Sequence, residues 1–364
     1  MGRGVPFSEY MDGALYDPAT GFYAVEGRAG RRGDFLTSPE VGPLFGALVA
    51  ERIDREWERL GRPDPFVVVD AGAGPGTLAR SVALASPRCA AALRYVLVEA
   101  SASQRRRHAD HLAGWVGEVG AEDLEAFVAT TGSAPRFASS TVLPPGIDGV
   151  IVANELLDNL PFDIVRRTPD GSEMLTVVDG GPATAAVSVD LPAEITALLD
   201  RAPMGTWMPW QHRARQWMTD ALGSLRRGAV IVLDYGATTD ALAARPASGW
   251  LRTYAAHERG GDPFAEPGAH DITTDVDIDQ LSLDHPPDLV TTQGEWLEGL
   301  GISALVAEGR RLWHERAASP DLVALRGRSR VGEAEALCDQ SGLGAHLVLE
   351  WHRHDPGSDA EPDR

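Results

Sequence analysis

Four carboxylates recur at comparable places in this chain: Asp70, Glu99, Glu155 and Asp234 each close, or directly follow, a short aliphatic run. The first leads into Ala71-Gly72-Ala73-Gly74-Pro75-Gly76-Thr77 and then a helical pattern. Glycines let a backbone turn tightly and approach a ligand closely, at the positive end of the following helix. A dinucleotide fingerprint would want its third glycine where Thr77 stands. Glu99 lies about 20 residues further on, at the end of the next aliphatic run, placed to accept ribose hydroxyls. Acids around such a turn repel a pyrophosphate but suit a cationic nucleoside. S-adenosylmethionine has ribose hydroxyls, a sulfonium and an amino-acid end, and no phosphate. Asp70, Gly72, Gly74, Gly76, Thr77 and Glu99 therefore read as its binding residues, with NAD as the competing ligand and a ligand-free turn as the bland one.

The second constellation is Asn154-Glu155-Leu156-Leu157-Asp158-Asn159-Leu160-Pro161, at the end of another aliphatic run. In open α/β sheets ligands bind beyond the carboxyl ends of the strands, so Asn154 and Glu155 face the site. They hold either the methyl donor or the nucleophile presented to it; otherwise they cap a helix with acids at its positive end. Asp234-Tyr235-Gly236 has the same placement.

Composition narrows the field. All 33 cations are arginine, and with 53 acids the net charge is −20. Without lysine there is no phosphate-binding loop lysine, pyridoxal-phosphate enzyme or Schiff-base aldolase. The acidity argues against a nucleic-acid partner. No apolar run nears the ~18 residues of a membrane span, and the N-terminal sequence lacks signal and presequence features, so a cytoplasmic protein off the membrane is expected. Cys89 and Cys338 make neither a disulfide framework nor a zinc site, and the pairs His108/His111 and His352/His354 read as surface residues, so no metal is expected.

The elements that must position these residues alternate. Strands are expected at 66–70, 95–99, 149–154 and 229–234, with helices between: an α/β, doubly wound, mostly parallel sheet. Residues 1–62 read as a mostly helical segment interrupted by Gly27, Gly30 and Gly33. Ser38 or Thr37 caps a helix with Pro39 at its first position, and that helix runs on to a stop at Gly61-Arg62-Pro63. A core at 63–235 and 293–354 would carry a hairpin insertion near 163–180. Residues 236–292, rich in Gly, Pro, Asp and His, read as a long irregular substrate-side insertion, and 355–364 as a disordered tail.

On these motifs the chain resembles the MidA-like family of class I S-adenosylmethionine-dependent methyltransferases, which includes a mitochondrial complex I assembly factor that is a protein arginine methyltransferase. The matching stretches are Leu15-Tyr16-Asp17-Pro18 through Gly21-Phe22-Tyr23, Gly33-Asp34-Phe35-Leu36-Thr37-Ser38-Pro39-Glu40, and the turn ending Gly76-Thr77-Leu78. They continue with Val98-Glu99-Ala100-Ser101, Asn154 to Asp158 with Leu160-Pro161, Asp234-Tyr235-Gly236, and Leu251-Arg252-Thr253-Tyr254 through Asp271-Ile272-Thr273-Thr274. The resemblance implies a seven-stranded core with a helical N-terminal segment, and adds Ser38 to the donor-binding set. The chain departs from the family in having Asp70 where Glu is common, Asn159 where alanine is usual, and no acid in Trp207-Met208-Pro209-Trp210-Gln211-His212.

Methyl transfer from a sulfonium is an in-line displacement whose catalysis is mostly alignment, worth at best ~7–11 kcal/mol. If the acceptor is a guanidinium, carboxylates should clamp it, and Glu155, Asp158 and Asp271 are the candidates. Three functions stay open at this point: a methyltransferase acting on a protein arginine, with a respiratory complex I subunit as the implied partner; a donor-binding assembly factor with little catalysis; and a nicotinamide-dependent oxidoreductase. Sequence leaves a small-molecule acceptor and the oligomeric state open.

Overall fold

A computed structural model describes residues 4–24, 37–110, 112–178, 184–255 and 258–354. Gly27, Gly30, Gly33 and Asp34 to Leu36, together with His111 and the 355–364 tail, lie outside the described residues.

The aliphatic runs become the strands of one sheet: β1 (Phe66–Ala71), β2 (Leu93–Val98), β3 (Trp115–Glu118), β4 (Arg136–Ser140), β5 (Ile147–Asn154), β6 (Leu225–Asp234), β7 (Leu289–Thr292) and β8 (Leu347–Arg353). Their order is β7-β8-β6-β5-β1-β2-β4-β3. Pairings from β6 through to β3 are all parallel, and β8 is antiparallel to both β6 and β7. The sheet is thus mostly parallel, with eight strands where seven were expected. The count rises at the outer edge, where β3 is short and half-exposed and its Trp-Val-Gly-Glu sequence lacks a continuous aliphatic run. The second strand ends at Val98, so Glu99 stands just past it.

Alternate residues of β1 feed two cores. Phe66 and Val68 pack under α3 (Pro43–Arg59) and α4 (Thr77–Ala85), while Val67 and Val69 face the opposite side with α5 (Ala121–Val128) and α6 (His212–Ser224). Helices on both faces explain why the central strands are apolar throughout rather than alternating. The expected single helix from Ser38 is broken. A four-residue α2 (Ser38–Val41) ends at Gly42, and α3 starts at Pro43. Any side chain at Gly42 would collide with the Glu333 carboxyl, which accepts the Leu44 N–H at 2.9 Å.

The expected hairpin forms as Asp163–Thr168 and Gly171–Val177, but it belongs to a second, five-stranded antiparallel sheet with Val5–Pro6, Thr184–Ser188 and Met208–Trp210. Together with α1 (Phe7–Tyr16) it encloses a third core, where Phe7, Met11, Phe22, Phe162, Trp250 and Ile272 are buried. Residues 236–292 are not one irregular loop. Leu251–Ala255 and Asp271–Thr274 pair antiparallel in a third sheet, and β7 completes the edge of the main one. Their apolar residues are interspersed with Thr and Asp, and this conceals them from a hydropathy reading. Among the described residues no helix is long and apolar enough to cross a membrane.

Candidate active site

A cavity of about 570 Å³ opens beyond the carboxyl ends of β1, β2 and β5 and is roofed by residues of α1 and α2. Asp70, Gly72, Gly74, Thr77, Glu99, Asn154 and Glu155 all line it. The turn after β1 uses its glycines as expected: Gly72, Gly74 and Gly76 have φ of +70°, +52° and +83°. This left-handed region costs other residues roughly 1–2 kcal/mol each. At Gly72 a side chain would also strike Leu156, so the turn leaves its ligand-facing side open.

Glu99 is fixed by two backbone donors, with Gly74 N–H to Oε2 at 2.9 Å and Ser101 N–H to Oε1 at 2.7 Å. Burial raises its pKa, and these two N–H groups work against that rise. Behind the turn, Asp70 is buried and takes a hydrogen bond from the Tyr95 hydroxyl at 3.3 Å; burial pushes its pKa up to about 7.

Glu155 follows the last residue of β5 with φ +51°, left-handed without being glycine. Its N–H donates to the Leu233 carbonyl at 2.8 Å, which pins the chain in that conformation. Oε1 accepts Asn154 Nδ2 at 3.2 Å and the Ser38 N–H at 3.4 Å. Oε2 has no hydrogen bond among the described residues. Burial, then the Asp158 carboxyl, push the Glu155 pKa to about 8. Strain held at a pocket wall is a mark of a functional position.

The remaining predicted residues stand behind the wall. Ser38 is buried and donates from Oγ to Gln293 at 2.8 Å, so its part in the site is the N–H on Glu155. Gly76 packs against Leu97 and His108. Asp158 lies in a 3-10 turn, Leu157–Asn159, whose first two N–H groups are capped by Asp234 Oδ2 at 2.8 and 3.2 Å. Its pKa is raised by burial and by Asp234 and Asp271; that of Asp234 reaches about 8 through burial and then Glu155. Asp271 is buried and accepts Asn159 Nδ2 at 2.9 Å and the Tyr23 hydroxyl at 3.0 Å. Asp158 and Asp271 therefore sit near the site without forming its surface.

Sequence reasoning gave no role to several residues that do form it. Tyr16 and Tyr23 stack at 5.6 Å and both point their hydroxyls at Asn159. Glu40, Arg213, Trp217 and Asp220 complete the wall. Tyr16 and Tyr23 lay inside a recognised motif, but nothing in their spacing ties them to Asn159. His108 was read as a surface residue and is fully buried beneath the glycine turn.

A nucleoside donor fits this site on three grounds. The glycine cradle is open, the Glu99 carboxylate is oriented at its rim, and Asn154 Oδ1 is buried with no hydrogen-bond partner among the described residues. The sequence model of a family described as "Putative S-adenosyl-L-methionine-dependent methyltransferase" matches residues 48–285. The chain belongs to this MidA-like methyltransferase family. It is 28% identical over 300 residues to the Drosophila melanogaster protein arginine methyltransferase NDUFAF7 homolog, covering 75% of this chain and 65% of that protein. It is 25% identical over 313 residues to the human protein of that name, covering 76% of this chain and 64% of the other. The chain thus spans about two thirds of the length of these relatives. A Burkholderia thailandensis structure described as a "superfamily member and likely methyl transferase", bound to S-adenosyl-homocysteine, superposes with TM-score 0.74 at 25% identity, covering 96% of this chain and 88% of that one. S-adenosylmethionine is the family's cofactor, and an oxidoreductase reading is set aside.

Proposed function

We propose that this protein methylates an arginine guanidinium on a protein acceptor, with a respiratory complex I subunit the first to test. The observation that carries this reading is the carboxyl-rich inner wall. Glu155 presents an uncommitted Oε2 to the cavity, backed by Asp158, Asp234 and Asp271. Buried carboxyls this close together raise one another's pKa, and a bound cation repays the cost of ionising them.

When bound, S-adenosylmethionine supplies an electrophilic methyl group on a sulfonium. Glu99 and Asn154 are the groups that would hold its nucleoside and amino-acid ends, over the open backbone of the glycine turn. A guanidinium nitrogen that gains a methyl must release a proton, and Glu155 Oε2 is placed to orient that nitrogen and take the proton. The stacked Tyr16 and Tyr23 wall off water and give a planar cation an aromatic neighbour. Arginine on a protein, rather than a small amine, is favoured by the names of the relatives, which are protein arginine methyltransferases.

The test is incubation with methyl-labelled donor and a cell lysate or purified complex I subunits, followed by acid hydrolysis of labelled protein. Labelled methylarginine supports the proposal. Label confined to small molecules, or to another amino acid, overturns it.

A further inference from the structure

The buried imidazole of His108 lies directly under the donor-binding turn, outside the cavity lining. Its Nε2 is 2.7 Å from the Gly74 carbonyl oxygen, and its Nδ1 is hydrogen-bonded to the Ser139 hydroxyl at the end of β4. A carbonyl only accepts, so Nε2 must carry the proton, and Nδ1 accepts from the Ser139 O–H. The Gly74 carbonyl thereby selects the tautomer, and the Ser139 hydroxyl satisfies the other ring nitrogen and fixes the ring's orientation. Burial depresses the imidazole's basicity, in keeping with a neutral ring.

Gly74 is then gripped from both ends. Its carbonyl takes the His108 proton, and its own N–H donates to Glu99 Oε2 at 2.9 Å. Gly74 has φ +52° with open space where a side chain would stand, so packing does not hold this residue in place. These two hydrogen bonds supply what packing does not. The imidazole also seats against Gly76, where a Cβ would lie 3.3 Å from His108 Cδ2, and meets Trp115 edge-on at 6.2 Å.

The geometry points to His108 as a positioning residue for methyl-donor binding, acting through Gly74 on Glu99. The inference rests on donor binding at the glycine turn. It predicts that the ring sets donor affinity and leaves acceptor binding alone, since its polar contacts run from β4 to the turn and not to the acceptor side.

The experiment is calorimetry of S-adenosyl-homocysteine with the full chain and three variants, alongside steady-state kinetics. His108→Leu should weaken S-adenosyl-homocysteine at least tenfold and raise the donor KM similarly, with the acceptor KM unchanged. His108→Gln, whose amide N–H can reach Gly74 and whose oxygen can meet Ser139, should recover affinity to within about threefold. Ser139→Ala leaves the ring in place and should weaken binding by about threefold or more, which keeps the proposal testable if the leucine variant does not fold. Wild-type affinity in His108→Leu, a glutamine variant no better than leucine, or an unaffected Ser139→Ala would overturn it. Wild-type protein that fails to bind S-adenosyl-homocysteine would instead refute the donor site itself.

Discussion

The side-chain amide of Asn154 donates to the carboxyl of Glu155 at 3.2 Å, and Glu155 stands in a left-handed backbone conformation at φ +51°. A neighbour's hydrogen bond and a strained backbone together aim one carboxyl oxygen into the cavity. Glu155→Gln should keep the shape and lose the proton acceptor, cutting turnover by about 100-fold or more while changing S-adenosyl-homocysteine affinity less than about threefold. Glu155→Gly should be equally inactive, yet it removes backbone strain of about 1–2 kcal/mol and should melt above the glutamine variant. Turnover near wild type in Glu155→Gln would remove this residue from the chemistry.

The pH dependence of the site has a definite sign. Glu155 and Asp234 titrate near 8 in the folded protein, chiefly through burial, against ordinary values of about 4.3 and 3.9 when unfolded. The folded state binds the extra protons between those limits. Their contribution to stability is therefore fully present below about pH 4 and is lost as pH rises through about 8. The Tm of wild type should fall relative to Glu155→Gln between pH 5 and pH 9. A sulfonium ligand reverses the balance by favouring the ionised carboxylates, so S-adenosylmethionine should bind more tightly as pH climbs from 6 to 9. S-adenosyl-homocysteine, whose sulfur is uncharged, should change less. Parallel pH profiles for the two ligands, measured by calorimetry, would contradict this.

What the sequence disclosed and what it concealed divide along the range of the interactions. Asp70, Glu99 and Glu155 were legible because each follows a continuous aliphatic run, and the carboxyl end of a buried strand fixes where the next residue goes. His108 was misread because its partners, Gly74 and Ser139, lie 34 and 31 residues away and are a carbonyl and a hydroxyl. No spacing rule connects such groups. Asp158 and Asp271 were legible as acids near the site but not in their orientation. Asp158 sits in the short turn capped by Asp234, and Asp271 accepts hydrogen bonds from Asn159 and Tyr23. The break at Gly42 was local, a Gly-Pro pair that the helical reading passed over, and only its packing against Glu333 from a helix near the other end of the chain is long-range.

Asn159 joins three parts of the molecule that sequence keeps far apart. Its Nδ2 donates to Asp271 Oδ1 at 2.9 Å and to the Ile272 carbonyl at 3.1 Å, while its Oδ1 accepts the Tyr23 hydroxyl at 3.1 Å. Asn159→Ala removes all three and withdraws a donor from a fully buried carboxyl. Leaving buried polar groups short of partners costs about 1–3 kcal/mol, and urea unfolding should show that loss. Tyr23 should also lose one of its two hydroxyl partners, while Tyr16 keeps the backbone carbonyl, so the acceptor KM should rise modestly while donor affinity holds. An unchanged urea midpoint would mean that water replaces the amide without penalty.

Away from the cavity, the buried Arg52 anchors α3 to the sheet. Its Nη2 lies 2.7 Å from Glu350 Oε2 on β8, its Nε 3.1 Å from Glu350 Oε1, and its Nη1 3.1 Å from Glu56; Trp296 Nε1 donates to Glu350 at 2.7 Å. Burial raises the Glu350 pKa, but the Arg52 hydrogen bonds and charge outweigh it and hold the carboxyl below its ordinary value. The stability this carboxyl contributes is thus present above its ordinary pKa and lost as pH falls through the depressed one. Glu350→Ala leaves the buried Arg52 guanidinium only Glu56 as a carboxylate partner and orphans the Trp296 N–H, and should cost about 3–5 kcal/mol, read as a lower urea midpoint. Replacing both partners, Arg52→Met with Glu350→Leu, removes the unbalanced guanidinium while Glu56 keeps Arg59, and should recover part of that loss. A double variant no more stable than Glu350→Ala would show that shape, not charge, holds α3 to the sheet.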